Sequence, residues 1–163
     1  MDSQSASADG STGPLESDFP SPVVLVAAHL AVVVAVLHLS MGLLNWFRWA
    51  TAGFLVPRDL RWPLFVVSGL ALFVGLVVAA QGRYRRPLYA GGIALMVTYV
   101  VGYFGWHMGG HRPQLIFGRG TTHQEPFFSV FVDHLFAGPV EFVAIASEVA
   151  LAAVLAYLLV RES

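Results

Sequence analysis

Six histidines, two glutamates and a set of tyrosines interrupt long apolar stretches in this 163-residue chain, and they are the residues that could do chemistry. Glu141 and Glu148 are seven residues apart. On a helix that spacing returns to within about 20° of the same direction, so both carboxyls share a face, with Glu148 roughly 10 Å deeper. His134 continues the spacing backward, but Gly138-Pro139 opens a new helix between them, so His134 is not assigned to that face. Tyr99, Tyr103, His107 and His111 recur every fourth residue. The first three form a polar-aromatic stripe, and Gly109-Gly110 decides whether His111 joins it. His38, Met41 and Asn45 stand at i, i+3 and i+7 on one face of another segment. His29 lies about half a turn away from them and reads as a hydrogen-bonded structural histidine.

Neutral imidazole binds zinc, copper, iron and haem iron, and a Met thioether favours Cu(I) or an axial haem position. The absence of cysteine removes thiolate sites, iron–sulfur clusters and disulfides. Only a His/Met/carboxylate set is left for a metal. The first expectation is a metal- or haem-binding redox subunit of respiratory type. His38 and His107 on facing helices would hold haem b, with quinone as an electron-exchange partner. Alternatively His107, His111, His134 and Glu141 would hold a copper or zinc ion. A second expectation is a small proton-coupled transporter or channel in which Glu141 and Glu148 form the proton path. A third is an accessory subunit whose polar groups are satisfied by a partner chain. Each residue also has a structural reading: a glutamate hydrogen-bonded to a neighbouring helix, tyrosines at an interface, a solvated histidine. His-x3-His alone is a weak motif, and the further histidine boxes of the membrane desaturases are missing.

The elements that must carry these residues are membrane helices. Charged residues make up 12% of the chain and hydrophobic ones 56%, against about 25% charged in an ordinary soluble domain. The mean hydropathy is +0.69. A net charge of −1 gives no case for nucleic acid. The partner is the lipid bilayer, with a homo-oligomer or a larger membrane complex as further candidates. All nine basic residues are arginine. With an acidic Ser/Gly/Asp-rich tail and Ala/Val-dominated apolar runs, this is the composition expected of a GC-rich, halophilic archaeal genome.

Four apolar runs predict spans over residues 22–46, 62–80, 87–107 and 139–160. Each holds about 20 residues, enough to cross a hydrocarbon core of about 30 Å. Lipid leaves no water to satisfy the backbone, so these are helices. Residues 1–20 read as a disordered tail. It lacks a basic region before the first apolar run, which argues against a cleaved signal peptide. The connector 48–61 reads as an interfacial turn and 81–86 as a tight basic loop. In the long loop 108–138, residues 127–136 are apolar enough for an interfacial or re-entrant helix.

The expectation is therefore an all-α, up-down bundle of four transmembrane helices in the cell membrane. Both termini share one side, side A, with Arg83, Arg85, Arg86 and Arg161. Three arginines in so short a loop favour side A as cytoplasmic. Five of the six histidines then gather toward side B, together with Glu141. The second span has no ionisable residue between Trp62 and Ala80 and reads as a lipid-facing support helix, with Ser68 bonded back to its own backbone.

Overall fold

The computed structural model describes residues 20–57, 59–108 and 126–161. They form five helices: α1 Pro22–Thr51, α2 Arg61–Ala80, α3 Arg85–Met108, α4 Phe127–Leu135 and α5 Pro139–Arg161. All but α4 are long and apolar enough to cross a membrane. Four such helices make this a multi-pass membrane protein. Large apolar side chains such as Leu44, Val67, Val101 and Val160 point outward, at 62%, 62%, 63% and 74% exposure. A surface of that kind suits lipid rather than water. The tail, and most of the loop between α3 and α4, lie outside the described residues.

Local chemistry sets the helix ends. Ser21 caps α1, its Oγ accepting from the Val24 amide at 3.4 Å, and Pro22 follows in the first turn, where a missing amide proton costs nothing. The sequence reading ends this span at 46, but the helix runs to Thr51. No glycine or proline lies between Trp46 and Gly53, which takes a φ of 89°, a backbone conformation open to glycine. The connector is shorter than expected as a result, and its end is stapled. Arg61 grips the buried carboxylate of Asp59 with Nη2–Oδ2 at 2.6 Å and lies 3.6 Å over the Trp106 ring of α3. Trp46 Nε1 donates to the Leu55 carbonyl at 2.9 Å.

Two tight helix pairs, α1 with α2 and α3 with α5, are joined through α1 and α5, while α2 and α3 touch sparingly. Glycine makes the first crossing possible. A Cβ on Gly42 would stand 2.9 Å from the Trp62 carbonyl, and one on Gly69 would stand 2.7 Å from Leu39 Cγ. Between the pairs the core is Val34, Ala35, Leu72, Met96, Leu151 and Leu155.

Candidate functional site

Near the middle of α1, His38 is 1% exposed. Its Nδ1 is 2.8 Å from Ser68 Oγ on α2, and its Nε2 is 2.8 Å from Glu148 Oε1 on α5. Its ring also meets Tyr99 of α3 at a centroid distance of 4.4 Å and Phe65 of α2 at 4.9 Å. Tyr99 stacks on Phe65 at 5.2 Å. One histidine thus gathers side chains from the other three membrane helices.

Hydrogen-bond accounting assigns the protons. The Ser68 hydroxyl donates to the Phe65 carbonyl at 2.9 Å, one turn back. Its oxygen is then the acceptor, so the His38 Nδ1–H is the donor. Nε2 and Glu148 Oε1 share one proton across 2.8 Å. Whichever atom carries it, the pair is neutral overall, the cheapest way to keep two ionisable groups in an apolar interior. Glu148 Oε2 is buried and has no hydrogen-bond partner among the described residues. An orphaned carboxyl oxygen is costly and calls for an explanation.

A second polar layer lies toward the α3–α4 end. His107 Nδ1 donates to the Tyr103 carbonyl at 2.7 Å, and His134 Nδ1 donates to the Val130 carbonyl at 2.8 Å. The two rings meet edge-on, 4.4 Å apart. Tyr103 ties α3 to α4, its hydroxyl donating to the His134 carbonyl at 3.0 Å. Glu141 stands in the first turn of α5, where a carboxylate complements the positive end of the helix dipole. It folds back over Gly138, where a Cβ would meet Oε2 at 2.5 Å.

The structure therefore pairs His38 with Glu148, and His107 with His134. It does not bring His38 and His107 together. Tyr99, which touches His38, is two turns from His107 on α3, about 12 Å of rise. Both nitrogens of His38 are engaged by Ser68 and Glu148, so this geometry offers no ring nitrogen to a haem iron. His38 lies near the middle of α1, at the level of Glu148 of α5. His111 lies outside the described residues. Among those described, no group of three or more His, Asp or Glu is placed to hold a metal ion. His29 donates to the Leu25 carbonyl at 2.7 Å, the backbone-bonded role expected for it.

Ser68 and Phe65 are the members sequence reasoning missed. The support-helix reading assigns Ser68 only to its own backbone, and it does make that bond. It also accepts from His38. Its being the sole hydroxyl between Trp62 and Ala80, beside Gly69, was the available signal. Compared with known proteins, the chain matches no family model, no curated protein and no solved structure.

Proposed function

We propose that this chain is a proton-transfer membrane protein, a small proton-coupled transporter or channel with the His38–Glu148 pair at its centre. The observation that carries this reading is the buried 2.8 Å Nε2–Oε1 hydrogen bond with the second Glu148 oxygen unpartnered among the described residues. A shared proton can move between such atoms without creating net charge, and an orphaned oxygen is a second place to receive one. Ionisable groups at this depth are expensive and mark ion or proton pathways. The stripe Tyr99, Tyr103 and His107, with His134 and Glu141 beside it, supplies polar groups from this pair toward side B. Toward side A, the apolar layer of Leu72, Leu95 and Leu151 lies about one turn beyond, so proton exchange is one-sided in this conformation.

The test is proton flux into proteoliposomes loaded with a pH-sensitive dye, under an imposed pH gradient with potassium and valinomycin. Glu148→Gln keeps the shape and a hydrogen bond to His38 but has no proton to exchange. The wild type conducts and Glu148→Gln does not, with helicity unchanged by circular dichroism. Equal flux in the two proteins, or none in the wild type, refutes the proposal.

The metal reading has narrower support, namely the edge-on contact of His107 with His134. Stoichiometric zinc or copper in the purified protein, lost on His134→Ala, would favour it. A Soret band would favour haem.

A further inference from the structure

Beyond the polar centre, the side A half of the bundle holds a cavity of about 1100 Å³ that opens to the outside. Small-molecule sites span roughly 300–1,000 Å³, so this space exceeds what packing defects leave. All four membrane helices frame it, through the beginnings of α1 and α3 and the ends of α2 and α5. Its wall is mostly alanine, glycine and leucine, and it lies where α2 and α3 are in sparse contact. Two cations, Arg85 and Arg161, stand at its outer end, and no Asp or Glu is among its described lining residues.

The dimensions select an occupant. Arg85 to Leu95 on α3 and Arg161 to Leu151 on α5 each span ten residues, about 15 Å of rise. That is half of a hydrocarbon core of about 30 Å, the depth of one leaflet. The outer end is cationic and the rest apolar, and apolar-lined space stays dry and takes apolar ligands. We infer that the cavity is a binding site for an anionic phospholipid of the side A leaflet, its phosphate at Arg85 and Arg161 and an acyl chain reaching inward between α2 and α3. The chain end would then rest on Leu72, Leu95 and Leu151, about one turn from Ser68, Tyr99 and Glu148. This inference stands apart from proton transfer, because it uses the opposite half of the bundle and a different measurement.

The probe is phosphatidylglycerol with a photoreactive diazirine at the acyl end, in phosphatidylcholine vesicles carrying the full chain. After illumination, crosslinked residues are mapped by mass spectrometry. Labelling is expected at Leu95 or Leu72, and excess unlabelled phosphatidylglycerol suppresses it while excess phosphatidylcholine does not. Gly75→Phe fills the cavity without displacing protein, since a Cβ there is 4.0 Å from its nearest neighbour, Leu88 Cδ2. It abolishes the inner labelling. Gly91→Phe, with open space around its Cβ, repeats the test should the first variant misfold. Gly102→Phe adds the same bulk outside the cavity, where nothing lies within 4 Å, and leaves labelling intact. Arg161→Gln lowers the preference for phosphatidylglycerol by about tenfold, the loss of one charge-assisted contact. Labelling confined to outward residues such as Val74 and Val101 would overturn the inference. So would equal competition by phosphatidylcholine, or displacement by a free fatty acid but not by phosphatidylglycerol.

Discussion

Replacing Glu148 with leucine tests the central hydrogen bond, because leucine fills a comparable volume and offers His38 nothing. Ser68 keeps its bond to the Phe65 carbonyl and still accepts from Nδ1, so the damage is confined to Nε2, buried at 1% exposure. Leaving one buried polar atom unpaired costs about 1–3 kcal/mol. His38→Leu is expected to cost more, about 3–5 kcal/mol, because it strands both oxygens of a buried carboxyl. The double variant removes both polar groups at once, and replacing a pair by apolar side chains is often nearly neutral. It should therefore be no less stable than Glu148→Leu alone, giving a coupling of at least about 3–5 kcal/mol, the whole cost of His38→Leu. Reversible unfolding in mixed micelles with increasing dodecyl sulfate, followed by circular dichroism, gives the four free energies. If the two single costs simply add in the double variant, the side chains are not coupled and the proton assignment built on their contact fails.

Ser68→Ala removes the acceptor for His38 Nδ1 and should cost about 1–3 kcal/mol in the same unfolding assay; a change below about 0.5 kcal/mol would mean that His38 does not depend on α2. Gly69→Leu drives a side chain into Leu39 at the α1–α2 crossing, and overpacking of about 1–3 kcal/mol should lower the thermal midpoint in detergent. Gly105→Leu, with nothing within 4 Å of its Cβ, should leave that midpoint unchanged. Arg61→Ala strands the buried Asp59 carboxylate and uncovers Trp106, so tryptophan emission should change together with a loss of about 1–3 kcal/mol.

Much of the helical layout was legible because lipid imposes a simple code. Length and hydropathy define a span, and Pro22, Pro139 and the basic loop 81–86 mark its ends. The end of α1 differs from the sequence reading because residues 48–61 read as an interfacial turn, whereas Gly53 supplies the backbone freedom to leave the helix. The predicted meeting of His38 with His107 fails because Tyr99, which touches His38, stands two turns from His107 on α3. Glu148 announced itself as a carboxyl at membrane depth. Its partner could not be read, since facing between helices depends on crossings set by Gly42 and Gly69, and no periodicity within one segment encodes them. The cavity was hidden for the same reason. Gly75, Gly91 and Gly92 were visible as small residues permitting close packing, yet a Cβ on Gly92 would press Leu155 at 2.6 Å while those on Gly75 and Gly91 would find room.

The His38–Glu148 contact joins α1 to α5 across 110 residues of sequence. During synthesis the first helix is made long before α5 exists, so His38 spends that interval without its carboxylate. Polar groups in lipid without partners are costly, so α1 carries an open polar site until α5 inserts beside it. Arrival of α5 thus closes the core by giving His38 its carboxyl, and a product truncated before α5 carries a buried defect that one containing it does not.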